Sequence, residues 1–123
     1  MSGENPSGAF ASLCIALAGL RHLLVSERSS RIHLLSMLVV IVAGLATDLS
    51  WEDWRWIALA VSIVWLSEAF NTAIERLGDA VTDQPHPQIG VAKDLAATAV
   101  MFAVIAAAII CVSVFVPHWI GSP

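Results

Sequence analysis

Three apolar stretches, within residues 32–49, 54–80 and 91–116, dominate this chain of 123 residues. Each approaches or exceeds the roughly 20 residues that an α-helix needs to cross the hydrocarbon of a bilayer. No water is available there to satisfy the backbone, so separate runs of this kind cross as helices. The pattern predicts an all-α integral membrane protein with three transmembrane helices. Composition agrees, because 58% of the residues are hydrophobic and only 13% charged, with a mean hydropathy of +0.79. So few charges would not cover the surface of a soluble domain this small.

The rest of the chain is arranged around those spans. Residues 1–8 read as a flexible N-terminal tail and 9–123 as a single domain. The segment 9–29, AFASLCIALAGLRHLLVSERS, is apolar only as far as Arg21. That run is too short to span, which predicts an amphipathic helix lying on the membrane surface. The turn 48–53 (DLSWED) carries Trp51, with Trp54 beside it, as befits a membrane–water boundary. The segment 81–90, VTDQPHPQIG, is a loop by its two prolines and glycine, and Pro117 is expected to end the third span. Arg21, Arg28, Arg31, Arg76 and Lys93 fall on one side of this arrangement and only Arg55 on the other. The positive-inside bias then puts the N-terminus and the 81–90 loop in the cytoplasm and His118–Pro123 outside. No cleaved signal peptide is expected, since MSGENPSG has neither Lys nor Arg. A net charge of -4 without a basic cluster argues against nucleic acid as a partner. Cys14 and Cys111 lie in separate apolar segments and read as small buried hydrophobes.

The chemistry gathers on the second span. Glu68, Asn71, Glu75 and Asp79 follow one another at spacings of 3, 4 and 4, which places them along one helical face. Three carboxylates so close repel one another unless a cation or a proton intervenes. Glu68 lies deepest in the apolar stretch and suits a general base for an alcohol, or a structural hydrogen bond to a neighbouring helix. Glu75 lies near the cytoplasmic boundary, and Glu27 precedes the first span at a similar depth. Two carboxylates from different helices fit a sparse magnesium site completed by phosphate and water. A salt bridge from Glu27 to Arg31 at i+4 is the alternative. Lys93 and Asp94 open the third span, where a lysine reaches phosphate or anchors at the interface. His86, between two prolines, is a contact for a base or phosphate, or a solvent-exposed loop histidine. The sequence holds no Walker-type or protein-kinase glycine loop. A small transporter or channel subunit with a carboxylate relay is a second reading, but the charges crowd one end of one helix and the other spans continue no polar path.

The block Glu68-Ala-Phe-Asn-Thr-Ala-Ile-Glu75, followed by Asp79, His86, Ala92-Lys93-Asp94 and Ala96-Ala97, resembles the signature of the bacterial diacylglycerol kinase / undecaprenol kinase family. Gly19-Leu20-Arg21 and Glu27-Arg28 with Arg31-Ile32-His33 extend the resemblance over about residues 8–116. It implies a homotrimer whose sites are shared between protomers, each with three spans and a surface helix. It also implies transfer of the γ-phosphate of ATP, with Mg2+, to the primary alcohol of a membrane lipid, either diacylglycerol or undecaprenol, at a bacterial inner membrane. Carried over by motif, Glu68 resembles the catalytic base and Glu27 and Glu75 the metal ligands. Asn71, Asp79, His86, Lys93 and Asp94, together with Glu27 and Glu75, resemble the nucleotide contacts. Arg21, Arg31, Glu68 and Ala97 resemble the lipid-substrate set. The chain departs from the pattern at Ser29-Ser30, where Asn-Phe is more usual, and at Ala97, where serine is common in the diacylglycerol branch. The surface helix also lacks early basic residues. Arg31-Ile32-His33, His86-Pro87 and Lys93-Asp94-Leu95-Ala96-Ala97 look more like the undecaprenol branch.

Overall fold

A computed structural model describes residues 6–121, with side chains described from Gly8 onward. Its regular elements are four helices: α1 (Pro6–Ser26), α2 (Arg28–Ala46), α3 (Trp51–Val81) and α4 (Pro87–Trp119). All four are long and apolar enough to cross a membrane by length and composition. At 1.5 Å per residue, the 19 residues of α2 rise about 28 Å, close to the thickness of a bilayer's hydrocarbon. The 31 residues of α3 and 33 of α4 rise about 46 Å and 50 Å, so both extend past it.

Several boundaries differ from the sequence reading, each for a local reason. Of the tail expected over 1–8, residues 1–5 lie outside the described residues, and the helix has already begun at Pro6, whose fixed φ and missing N–H suit a first helical position. The helix expected over 9–29 ends at Ser26. Glu27 is extended (φ -113, ψ 123) and serves as the N-cap of α2, which starts four residues before the expected span. The helix that carries the second apolar stretch begins at Trp51 rather than 54. Ser50 caps it, accepting from the Asp53 N–H at 3.1 Å while its own N–H donates to Asp53 at 2.9 Å. The last helix begins at Pro87 rather than 91, capped by His86, and runs to Trp119. Pro117 does not end it. Pro117 has no N–H to donate back along the helix, but the final turn is held by Ile120 N–H on the Val116 carbonyl at 3.0 Å and by the Trp119 ring, tilted against Phe115 with centroids 5.2 Å apart.

The helices α3 and α4, joined by residues 82–86, form a long antiparallel hairpin, with α2 against α3 and α1 against α2. Apolar packing concentrates at the end away from Glu68–Asp79, where Ile57, Val114 and Phe115 are buried against Val40, Ala43, Leu49, Trp54 and Val61. There α2 approaches α3 closely enough that a Cβ on Gly44 would sit 2.6 Å from the Trp54 ring. Trp119 Nε1 donates to Thr47 Oγ1 at 3.2 Å, tying the end of α4 to the α2–α3 turn. Toward the other end the buried residues of the hairpin are small or polar: Ala96, Ala103, Glu68, Thr72 and Gly78.

Candidate active site

The break at Glu27 turns the first turn of α2 toward the middle of α3, and Glu68 meets it there. Glu68 is 1% exposed. An ionisable group taken out of water needs partners, and α2 supplies them. Ser29 Oγ and Ser30 Oγ, the latter at 3.2 Å, both donate to Glu68 Oε1. His33 Nε2 lies 3.5 Å from the other oxygen, Oε2. The i to i+3/i+4 spacing of positions 29, 30 and 33 places all three on one face of a helix.

Two turns on, about 10 Å along α3, Glu75 Oε1 accepts from Asn71 Nδ2 at 3.5 Å. The Asn71 amide oxygen is buried without a hydrogen-bond partner. Glu27 pairs with Arg76 Nη2 at 3.3 Å, while Arg31 stays exposed. The i+4 bridge to Arg31, the alternative reading of Glu27, does not form because Glu27 is extended rather than helical, which aims its carboxylate across at α3. About 16 Å beyond Glu68, Asp79 pairs with Lys93 at 2.6 Å across the hairpin. This pair is 72% exposed on the aspartate side, so it contributes little to stability, about 0–1 kcal/mol. Lys93 reaches across because residue 78 is glycine: a Cβ there would sit 2.8 Å from Ile89 Cγ2 and 3.0 Å from Lys93 Cε.

A groove of about 780 Å³ opens beside that pair, lined by Gly78, Asp79, Thr82, His86, Gly90 and Lys93 among others. His86 Nδ1 accepts from the Gln88 N–H at 3.2 Å, so its ring closes the start of α4 as well as facing this groove. Asp94 is exposed beyond it, with its backbone carbonyl accepting from Thr98. A second groove of about 670 Å³, largely apolar, runs between α1 and α3 from Ala16 and Leu20 to Ala73 and Arg76. Arg21, Arg31 and Ala97 are exposed on α1, α2 and α4.

The four residues of the acidic face therefore serve different neighbours: Glu68 faces α2, Asn71 and Glu75 face each other, and Asp79 faces α4. Among the described residues no group of three His, Cys, Asp or Glu side chains gathers as a metal site. The donor set still suits magnesium, which binds through one or two carboxylates plus substrate phosphates. Glu27, paired with Arg76, and Glu75, paired with Asn71, are the carboxylates that the sequence put forward, and the Asn71 amide oxygen beside Glu75 is a buried acceptor without a partner. Sequence reasoning missed Ser29, Ser30, His33, Arg76 and Gly78. The small polar pair at 29–30 was the available signal, because two hydroxyls heading a membrane helix must face something polar.

Four helices apolar enough to cross a membrane, with an ionisable cluster at one end of the hairpin, define an all-α membrane protein. The comparisons narrow it further. Residues 14–115 match the family model described as prokaryotic diacylglycerol kinase. An undecaprenol kinase of Bacillus subtilis (strain 168) is 33% identical over 108 residues, covering 88% of each chain. A diacylglycerol kinase of Synechocystis is 34% identical over 96 residues, which is 77% of this chain and 55% of that protein. The chain belongs to the prokaryotic diacylglycerol kinase family, and it is a lipid kinase.

Proposed function

We propose that the protein transfers the γ-phosphate of ATP, with Mg2+, to the primary hydroxyl of a membrane lipid, and that the acceptor is undecaprenol rather than diacylglycerol. The observation that carries the reading is Glu68, a buried carboxylate at the membrane end of a polar track that leads along α3 to a lysine-lined groove. Phosphoryl transfer asks chiefly for positioning and charge neutralisation. Glu68 takes the hydroxyl proton as the alcohol attacks in line. Lys93 faces the phosphates from the hairpin, and Asn71, Asp79, His86 and Asp94 orient the nucleotide. Glu27 and Glu75 would hold the magnesium, which would supply charge neutralisation to the triphosphate. Arg21 and Arg31 contact the lipid head, and Ala97 borders its path. The undecaprenol preference is supported by Arg31-Ile32-His33, His86-Pro87 and Lys93-Asp94-Leu95-Ala96-Ala97, and by a relative of that name matching 88% of the chain.

In this reading the protein sits in a bacterial inner membrane as a homotrimer with sites shared between protomers. Three helices, α2 to α4, span, and α1 lies on the cytoplasmic surface. Arg21 and His22 lie inside α1, a turn or more before its end, whereas the arginines of α2 stand in its first turn, where the interface accepts them. The arginines and lysine at the Glu27–Lys93 end support a cytoplasmic site. The deciding experiment gives purified protein in lipid labelled Mg-ATP with undecaprenol and diacylglycerol side by side. Labelled undecaprenyl phosphate should form faster. Preferential labelling of diacylglycerol reverses the substrate, and no transfer to either lipid removes the reading.

A further inference from the structure

A buried base must be emptied after every turnover. If Glu68 takes the proton of the alcohol, that proton ends on a carboxylate that is 1% exposed, and the next cycle waits until it leaves. Oε1 already accepts from Ser29 and Ser30, so Oε2 is the oxygen free to meet the alcohol. Among the described residues, the titratable side chain at Oε2 is His33, with Nε2 at 3.5 Å and a side chain 16% exposed against 2% for Glu68. Imidazole is the group best suited to pass a proton near neutral pH. The contact is a few tenths of an ångström longer than a working proton-transfer distance of about 3 Å, and such contacts commonly tighten when substrate binds.

We infer that His33 is the proton exit of this enzyme, a relay that empties Glu68, and that Ser29 and Ser30 are positioning residues that keep Oε1 occupied and Oε2 facing the relay. The inference rests on Glu68 being the base. The step balances: the alcohol O–H breaks as its oxygen bonds to Pγ, the Pγ–O bond to the departing ADP breaks, and the proton goes to Glu68 Oε2. It then moves to His33 Nε2, and the imidazolium gives up a proton to water at its exposed side. Exchange with solvent restores the starting tautomer, and no other reactant is consumed.

The test separates the first turnover from those that follow. In a rapid-quench measurement with Mg-ATP and lipid alcohol, His33→Ala and His33→Asn should each form the first product per site within about twofold of the unaltered rate. Steady-state turnover should fall at least about tenfold, and added imidazole should restore it in proportion to its concentration. A first turnover slowed in step with the steady state means that His33 only shapes the site, and overturns the relay. So does an unchanged steady state or a loss that imidazole does not repair. Using both variants guards against one that fails to assemble. Glu68→Gln is the control on the underlying reading and should abolish even the first turnover. A Glu68→Gln protein that still bursts overturns the base assignment itself, whatever His33 does.

Discussion

Burying a carboxylate among apolar helices is unfavourable unless hydrogen bonds replace the water it loses. Glu68 meets that condition through two serine hydroxyls, both on one neighbouring turn. A residue of quite different chemistry, Gly78, matters for the opposite reason. It is useful because it has no side chain. Lys93 lies across the position its Cβ would occupy, with Ile89 on the other side. Gly78→Ala should therefore displace Lys93 from the groove. With the lysine moved away from the phosphates, kcat/KM for ATP should fall at least about fivefold. Steady-state kinetics at varied ATP check this, and an unaltered kcat/KM would show that Lys93 needs no such clearance.

The elements are defined by their ends. Glu27 breaks α1 from α2, His86 and Pro87 open α4, and Ser50 with Asp53 opens α3. Asp53, in the polar turn ahead of the apolar part of α3, also faces His118 Nε2 at 3.4 Å, so one carboxylate joins the start of α3 to the end of α4. The Ser50 backbone N–H, then the Ser50 hydroxyl, hold the Asp53 carboxyl below its usual range, and His118 adds a smaller pull in the same direction. A carboxylate depressed in the folded state contributes stability above its unfolded pKa of about 3.9 and loses it as pH falls through the folded value. Asp53→Asn should thus melt earlier than the unaltered protein at pH 7, and the gap should close as the pH drops below about 4. The effect should be modest, because the partners are partly exposed and screened. Melting curves in detergent across that range decide it, and a gap that ignores pH would remove the electrostatic account.

At the scale of the molecule, much of the apolar surface faces outward. Leu35, Val39 and Val42 on α2, and Phe102, Ile109 and Val112 on α4, are all exposed. A bilayer and further copies of the chain are the surroundings that suit such a surface. The proposed surface placement of α1 makes a sharp prediction. With Cys14 and Cys111 replaced, a single Gly8→Cys should react with a membrane-impermeant thiol reagent from the cytoplasmic face. Labelling from the outer face alone would make α1 a fourth span. The proposed sharing of sites between protomers makes another. Co-assembly of Glu68→Gln with Lys93→Ala protomers should recover activity that neither variant has alone, measured as lipid phosphorylation after mixing and reconstitution. No recovery in demonstrably mixed trimers would confine each site to one protomer.

Hydropathy alone was enough to determine an all-α integral membrane protein, because a bilayer admits few other backbones and apolar runs of this length are legible residue by residue. The residue block from Glu68 to Glu75, with Asp79, His86 and Ala92-Lys93-Asp94 after it, resembled one family's signature closely enough to place the chain there and mark it as a lipid kinase. Helix ends were less legible, because caps such as Ser50, His86 and the extended Glu27 depend on what their side chains meet. The partners of the site were decided only by the fold. Glu27 has Arg31 four residues away yet pairs with Arg76, 49 residues on. Glu68 finds its donors 38 and 39 residues upstream. Local spacing fixes which side chains share a helix face. Which helix that face meets, and at what register, is set by packing between segments far apart in the chain.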